Sequence, residues 1–200
     1  MGKQTPTPPA GSPTATATAT DAPRVASRSA LLAARGALAD RTERATVLAN
    51  RVARWLNTVP LTRLGFFWPI RGEPDLAPVV VRWLAADAKR RAALPVVEGD
   101  RLAFAPWTPG MALQSGRFDI PVPPGTARLS PQLMLIPCVG FDDARYRLGY
   151  GGGFYDRTLG ALAVRPVMVG VAFDCGRVAS IDPQPHDIRL DLVITESGVL

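Results

Sequence analysis

The stretch from Arg147 to Arg157, with the sequence RLGYGGGFYDR, contains the residue types of a phosphate-binding site. Its four glycines leave the backbone free to adopt positive φ angles and to approach a ligand closely, because no Cβ is in the way. Arg147 precedes the glycines and Asp156 follows them, where a helix could begin, so a cation, bare amides and a potential metal ligand lie close together. The stretch therefore predicts a site for polyphosphate oxygens, and a flexible surface turn is the alternative.

Neither standard nucleotide motif describes this stretch. G-x-G-x-x-G fails because Phe154 stands at the sixth place counted from Gly149, and the P-loop fails because no Gly-Lys-Ser/Thr follows. What remains is a set of backbone amides beside Arg147, with Asp156 and Asp187 as oxygen ligands for Mg²⁺. This ion accepts one or two carboxylates and keeps waters and phosphates as its other ligands. Together these residues fit ATP with magnesium.

The composition allows one globular domain and limits its partners. Two hundred residues, 47% of them hydrophobic, suffice for one substantial core. The net charge of +6 comes from twenty-one arginines dispersed along the chain and only two lysines, which favours a small anionic ligand over nucleic acid. No apolar run approaches the ~20 residues that span a bilayer, and two cysteines without a C-x-x-C pair are typical of a reduced protein. We expect a cytoplasmic monomer or weak dimer that does not contact membranes.

Two helices are predicted after a low-complexity tail. Residues 1–23 are mostly Thr, Pro, Ala and Ser, a composition that predicts a disordered tail in front of one domain at residues 24–200. The first helix carries Arg24, Arg28 and Arg35, which are available to solvent or to a ligand.

The second helix is predicted to begin at Asp40, with Glu43 at capping-box spacing, and to bury a stripe that includes Val47. The apolar run from Leu64 to Ile70 then predicts a strand. That strand delivers Glu73 to the loop at its C-terminal end, where binding sites form.

A third helix, from Asp75 to about Lys89, precedes a series of strands. These strands are predicted at 94–97, 102–107, 132–136, 167–173 and 190–195. Between Thr108 and Pro131, a long segment rich in Pro and Gly indicates either a lid or a plain connector, with Phe118 to Ile120 as its plausible anchor. The alternation of helices and strands predicts an α/β fold, and a strand, the glycine stretch and a helix follow one another in the order of known phosphate sites.

The block FDDARYRLGYGGGFYDRTL, from Phe141 to Leu159, resembles the signature of the 5-formyltetrahydrofolate cyclo-ligase family, also called methenyltetrahydrofolate synthetase. The first predicted helix, the loop from Arg71 to Pro74 and the segment from Pro185 to Glu196 resemble further parts of that family. The resemblance thus covers residues 24–200. We expect a single-domain three-layer α/β/α sandwich with a mostly parallel central sheet, Rossmann-like.

The resemblance implies an ATP-dependent ring closure. The formyl oxygen of 5-formyltetrahydrofolate would be phosphorylated, the neighbouring N10 nitrogen would attack, and 5,10-methenyltetrahydrofolate, ADP and phosphate would result. The ATP-binding residues that the resemblance implies are Arg24, Arg28, Arg147, Leu148, Gly149, Tyr150, Gly151, Gly152, Gly153, Phe154 and Tyr155. The implied folate-binding residues are Trp68, Glu73, Tyr150, Gly151, Gly152, Gly153 and Phe154. Asp156 and Asp187 would hold Mg²⁺, and Arg147 and Asp156 would be catalytic.

Some positions depart from the family pattern. Arg24 stands where a lysine is typical, so that a planar guanidinium replaces a point charge. Arg145 replaces a glycine ahead of the signature and would be strained if the turn there needs a positive φ. Two other interpretations stay open: a non-catalytic nucleotide or RNA-binding α/β module with the same Gly-rich loop, and a sugar-phosphate isomerase that acts without ATP.

Overall fold

The computed structural model describes residues 22–200, and residues 1–21 of the predicted tail lie outside the described residues. The helices are α1 (Ala22–Gly36), α2 (Arg41–Leu56), α3 (Ala77–Ala85) and α4 (Phe154–Ala161). The strands are β1 (Arg63–Gly65), β2 (Arg91–Glu98), β3 (Arg101–Trp107), β4 (Gln114–Ser115), β5 (Pro121–Val122), β6 (Leu133–Pro137), β7 (Gly140–Phe141), β8 (Arg147–Leu148), β9 (Val167–Val171) and β10 (Leu192–Ile194). Short 3₁₀ helices lie at Arg117–Asp119 and Asp174–Gly176.

A six-stranded sheet with the order β10-β9-β6-β1-β2-β3 forms the centre of the molecule. All neighbouring strands in it are parallel except β2 and β3, which form an antiparallel hairpin. The register places Leu64 of β1 beside Ala92 of β2 on one side and beside Leu133 of β6 on the other. The predicted α/β fold with a mostly parallel sheet is therefore confirmed.

Successive residues of the central strands pack into two different apolar clusters, one on each face of the sheet. Along β6, Leu133 and Leu135 pack in the cluster that contains side chains of α2 and α3. Met134 and Ile136 pack in the cluster that contains Leu159 of α4. Because successive side chains of a strand point to opposite faces, helices cover both faces. This is the expected three-layer arrangement.

The chain leaves the middle of the sheet in two directions. From β1 it passes through α3 to β2, and from β6 it passes through α4 to β9 on the opposite side. Because such crossovers are right-handed, opposite directions put α3 and α4 on opposite faces of the sheet. A crevice opens where the direction changes, outside the C-terminal ends of β1 and β6, and open α/β sheets bind ligands in such crevices.

The strand predicted from Leu64 to Ile70 is wrong over most of its length, because β1 ends at Gly65. The Phe66 N–H still donates to the Ala93 carbonyl at 3.0 Å, and the chain then leaves the sheet and enters the crevice, where Phe66 and Phe67 are buried and Trp68 to Ile70 are half-buried. A buried apolar run has the same pattern in a strand and in an irregular segment, so the pattern does not show where the strand ends.

Two predicted helix ends also differ. Asp40 is the N-cap of α2, but its carboxylate accepts from Arg44 Nε at 2.8 Å and makes no capping hydrogen bond, so the predicted capping box is absent. Helix α3 ends at Ala85 rather than near Lys89. The chain turns there, and the Asp87 carboxylate accepts the Lys89 N–H at 2.8 Å, which is a typical competitor of helical hydrogen bonding.

Two apolar side chains are more exposed than predicted. Val47 of α2 is 41% exposed, because Leu48 and Val52 occupy the arc of the helix that packs on the sheet. Phe118, the predicted anchor of the long segment after β3, is 63% exposed. Val122 of β5 and the adjacent Pro123 are the buried side chains of this segment.

Arg145, in the turn between β7 and β8, has a φ of +67°. The turn therefore does need the left-handed conformation that a glycine would adopt without strain. The Arg145 N–H donates to the Asp142 carbonyl at 2.9 Å, and its guanidinium Nη1 donates to the Asp191 carbonyl at 2.8 Å. The left-handed region costs about 1–2 kcal/mol for a residue with a Cβ, and the contact with Asp191 offsets part of this strain.

Two substitutions separate the strain from the contact. Arg145→Ala loses the hydrogen bond and keeps the strain, whereas Arg145→Gly loses the hydrogen bond and removes the strain. We expect the glycine variant to be about 1 kcal/mol more stable than the alanine variant in urea unfolding. Equal unfolding free energies of the two variants would contradict the assignment of strain.

Candidate active site

A cavity of about 780 Å³ occupies the crevice at the C-terminal ends of β1 and β6. It is lined by α1, the loop after β1, the segment after β3, the glycine stretch with the start of α4, and the loop before β10. Every predicted site residue lines this cavity except Leu148. The Leu148 side chain is buried and lines a separate cavity of about 80 Å³ beneath α1.

The glycine stretch adopts backbone conformations that side chains disfavour. Gly151 has a φ of +94°, and Gly153, the N-cap of α4, has a φ of +64°. A Cβ at Gly151 would lie 3.4 Å from the Arg28 guanidinium carbon. The stretch therefore brings bare backbone and the N-terminus of α4 to the cavity, an arrangement suited to anions.

Arginines on one face of α1 hold the glycine stretch. Arg28 Nε donates to the Gly149 carbonyl at 3.0 Å, and Arg35 Nη2 donates to the Tyr150 hydroxyl at 2.7 Å. Arg24 and Arg35 are buried, with 7% and 4% of their surface exposed. The predicted availability to a ligand therefore holds for Arg24, which lines the cavity, whereas Arg35 lies behind Tyr150.

Two buried ion pairs lie on the cavity wall. Arg24 Nη2 is 3.1 Å from Asp187 Oδ2, and Arg147 Nη2 is 3.0 Å from Asp156 Oδ1. The second pair has poor angular geometry, so that Arg147 Nη2 makes no hydrogen bond despite the short distance. Within residues 22–200, Arg147 Nε and Arg24 Nε are also buried without hydrogen-bond partners. Such donors are costly unless an acceptor binds them, and because Arg24 and Arg147 line the cavity, an anionic ligand bound there would supply acceptors.

The carboxylate of Asp156 also contacts the loop that carries Asp187. Asp156 Oδ1 accepts the N–H of Ile188 at 3.1 Å, directly beside Asp187, and Asp187 Oδ2 accepts the N–H of Gln184 at 2.7 Å. The described part of the chain has no cluster of three or more His, Cys, Asp or Glu side chains that could hold a metal alone. Two carboxylates fit Mg²⁺ that takes its other ligands from phosphate and water.

Glu73 is fixed at another part of the same cavity. The Tyr150 hydroxyl donates to Glu73 Oε1 at 2.6 Å, and the Ile70 N–H donates to Oε2 at 3.0 Å. Burial raises the pKa of Glu73 above its ordinary value, and these two hydrogen bonds act in the opposite direction. Burial also raises the pKa of Tyr150, so the phenol keeps its proton and remains the donor. A carboxylate held in this way can accept N–H groups of a polar ligand.

Sequence reasoning gave no site role to several residues that the fold brings here. Arg71 has a φ of +48°, and its guanidinium lies 5.4 Å from the centre of the Tyr150 ring. The Phe118 ring meets the Phe154 ring edge to face at 6.0 Å, with the Arg117 guanidinium 5.0 Å from the Phe118 ring centre. An aromatic residue in a long polar loop is a signal of binding, and it could have marked Phe118 as part of the cavity instead of an anchor.

Comparisons with known proteins agree with the signature around the glycine stretch. Residues 21–196 match the family model described as the 5-formyltetrahydrofolate cyclo-ligase family. The chain belongs to this family. Two relatives are named 5-formyltetrahydrofolate cyclo-ligase. The Escherichia coli K12 protein is 33% identical over 161 residues, which are 76% of this chain and 87% of the relative. The Mycolicibacterium smegmatis protein is 28% identical over 159 residues, which are 74% of this chain and 81% of the relative.

Solved structures of the cyclo-ligase family have the same fold. The 5,10-methenyltetrahydrofolate synthetase of Aquifex aeolicus is 30% identical, with a TM-score of 0.72 over 88% of this chain and 91% of that one. The 5,10-methenyltetrahydrofolate synthetase of Mycoplasma pneumoniae, at 24% identity, supports the fold alone. Its TM-score is 0.71 over 86% of this chain and 98% of that one. As a family member, the chain is an ATP-dependent ligase. Among residues 22–200, no helix combines the length and apolarity needed to cross a membrane.

Two glycines of the same segment test the importance of the unusual backbone. Gly151→Ala forces a Cβ into a positive φ beside Arg28, whereas a Cβ at Gly160 of α4 meets nothing within 4 Å. We expect Gly151→Ala to weaken binding of Mg-ATP about tenfold or more, and Gly160→Ala to leave it unchanged. Isothermal titration calorimetry measures both, and equal affinities would show that the backbone of Gly151 does not shape the nucleotide site.

Proposed function

We propose that this chain uses ATP and Mg²⁺ to convert 5-formyltetrahydrofolate to 5,10-methenyltetrahydrofolate, with release of ADP and phosphate. The observation that carries the proposal is that one cavity combines two kinds of binding group. Buried arginines and bare glycine backbone suit the phosphates of ATP, and Glu73 with Trp68 suits a polar heterocycle. Membership of the cyclo-ligase family supports the same pair of substrates.

The phosphates of ATP would bind between α1 and the glycine stretch. Arg24, Arg28 and Arg147 would supply positive charge there, and residues 149–155 would supply backbone N–H groups and close approach. The unpartnered N–H groups of Arg24 and Arg147 support this assignment, because phosphate oxygens are the acceptors that guanidinium groups bind best.

Asp156 and Asp187 would hold Mg²⁺ together with the phosphates. When bound, the ion neutralises charge on the transferred phosphoryl group and orients it for attack. The pairing of each carboxylate with an arginine supports this role, since the ion pairs hold both carboxylates at the cavity wall in the absence of a ligand.

The folate would bind beside Glu73. The 2-amino-pyrimidinone part of a pterin presents two neighbouring N–H donors, and a carboxylate accepts such a pair with its two oxygens. Trp68, half-buried in the same loop, would provide a flat apolar surface for the ring. Tyr150 would touch both substrates, because it lies in the glycine stretch and contacts Glu73.

The reaction then needs little covalent chemistry from the protein. The formyl oxygen of the substrate takes the γ-phosphoryl group, N10 attacks the activated carbon and loses its proton, and the oxygen leaves as part of phosphate. The nucleophiles belong to the substrate, so the protein positions them and stabilises developing negative charge. Arg147, with its buried guanidinium beside Asp156, is the residue that we assign to this charge.

A direct assay tests the proposed function. Purified protein mixed with 5-formyltetrahydrofolate, ATP and Mg²⁺ should produce the near-ultraviolet absorbance of the methenyl product, and omission of any component should abolish it. Absence of an ATP-dependent signal would refute the proposal. Affinity for RNA that falls steeply with salt and is unaffected by folate would instead favour a nucleic-acid-binding module.

Two aspartates of the signature block give a matched pair of variants. Asp156→Asn removes a proposed metal ligand, and we expect kcat to fall roughly 100-fold or more. Asp143→Asn changes an exposed carboxylate that pairs with Arg177 at 2.7 Å outside the cavity, and should keep wild-type kcat.

The melting temperature of each variant is measured alongside the rate. Asp156→Asn leaves the buried Arg147 without its counter-charge, so we expect it to melt earlier than Asp143→Asn. Rates are therefore compared at a temperature where both variants are folded. Equal kcat values of the two folded variants would remove Asp156 from the mechanism.

A further inference from the structure

We propose that Arg35 is a positioning residue for folate. It holds Tyr150 and, through the Tyr150 hydroxyl, sets the orientation and charge of Glu73 without touching a substrate. The inference rests on the proposed function in one respect, since it takes folate as the ligand of Glu73.

A continuous chain of hydrogen bonds carries this inference. Arg35 Nη2 donates to the Tyr150 hydroxyl at 2.7 Å, and that hydroxyl donates to Glu73 Oε1 at 2.6 Å. The second oxygen of Glu73 accepts the Ile70 N–H at 3.0 Å. Both oxygens of the carboxylate are thus held, and the last turn of α1 is connected to the loop after β1 through the glycine stretch.

The burial of Arg35 distinguishes it from the arginines of the cavity. Only 4% of its surface is exposed, and it does not line the cavity, unlike Arg24 and Arg28 of the same helix. No carboxylate among residues 22–200 forms a direct ion pair with Arg35. A buried cation is costly unless an anion compensates it, and the anion that Arg35 reaches is Glu73, on the other side of Tyr150.

The charged and titratable groups around Glu73 determine the sign of the effect. These groups are Arg35 of α1, Arg71 of its own loop, Tyr150, Tyr155 of α4 and Cys138 after β6. Burial raises the pKa of Cys138 to about 12 and raises the pKa of both tyrosines, so these three groups stay neutral near pH 7. The two arginines are the cations that lower the pKa of Glu73 against the effect of burial.

Loss of Arg35 therefore has a definite expected direction. The pKa of Glu73, already raised by burial, should rise further, so that the carboxylate is protonated over a wider range of acidic pH. Only the ionised form accepts two N–H donors of a ligand. The acidic limb of kcat/KM for folate should accordingly move to higher pH, with little change for ATP.

Kinetics of Arg35→Met, Arg35→Lys and Tyr150→Phe test the positioning role. We expect Arg35→Met to raise the KM for folate about tenfold or more and to change the KM for ATP by less than about twofold. Arg35→Lys keeps the positive charge and an N–H donor, so its KM for folate should lie between those of the wild-type protein and Arg35→Met. An equal rise of both KM values, or a loss of kcat alone, would indicate a general structural role and overturn the proposal.

Arg71 provides a matched control. Its guanidinium contacts the face of the Tyr150 ring, which Tyr150→Phe preserves, and it makes no hydrogen bond to Tyr150 or Glu73 in the described chain. In double-mutant cycles on the KM for folate, Arg35→Met and Tyr150→Phe should be strongly non-additive, whereas Arg71→Met and Tyr150→Phe should be additive. Additivity in both cycles would refute the hydrogen-bond chain.

A measurement without turnover separates this inference from the proposed function. The chain contains only four glutamates, Glu43, Glu73, Glu98 and Glu196, so carboxyl ¹³C labelling of glutamate gives few resonances, and Glu73→Gln assigns the relevant one. The pKa of Glu73 should be higher in Arg35→Met than in the wild-type protein. If Arg35→Met does not fold, Tyr150→Phe should show the same direction.

The outcomes of this titration are distinguishable. A raised pKa of Glu73 in a protein that makes no methenyl product would support the role of Arg35 and refute the proposed function. An unchanged pKa of Glu73 in folded variants would overturn the role of Arg35, whatever the wild-type protein catalyses.

Discussion

Buried charge is the constraint on which this structure depends. Arg24 and Arg147 are almost completely out of water, and each faces a carboxylate, Asp187 and Asp156. Because an uncompensated buried charge costs several kcal/mol, α1, β8, α4 and the loop before β10 must meet in the folded state. Replacing a buried ion pair by apolar side chains of similar volume often leaves a protein equally stable. The presence of incompletely satisfied guanidinium groups is therefore better explained by an anion that binds them than by stability.

The parts of the site that lie close together in the chain could be predicted from the sequence. Four glycines flanked by Arg147 and Asp156 predict a phosphate site, and the structure brings the stretch to the cavity. The α/β fold followed from alternating periodicities, which depend on local burial. Asp187 is predicted from the chemistry of its carboxylate and from a family resemblance, and the N–H of the next residue, Ile188, donates to Asp156. The roles of these residues stay predictions.

Features that depend on tertiary packing were not accessible in the same way. Strand β1 ends at Gly65, where the chain enters the crevice, and Phe66 and Phe67 are buried although they lie outside the strand. Arg35 has the sequence environment of a solvent-exposed helix residue, yet Tyr150, 115 positions away, covers it. Phe118, predicted as an anchor of its segment, instead faces the Phe154 ring at the cavity. Long-range contacts decide all three cases.

The glycine stretch explains how one short segment can bring two substrates together. Arg147 pairs with Asp156 on the phosphate side of the cavity, and Tyr150, three residues later in the chain, reaches Glu73 on the other side. Because Tyr150 lies only three positions after Arg147, the chain fixes the distance between the two subsites as long as the stretch does not move. Glycines alone would make it flexible, but two arginines of α1 restrain it: Arg28 binds the Gly149 carbonyl on the phosphate side, and Arg35 binds the Tyr150 hydroxyl on the folate side. A reaction that proceeds mainly by positioning its substrates requires this combination of unusual backbone and external restraint.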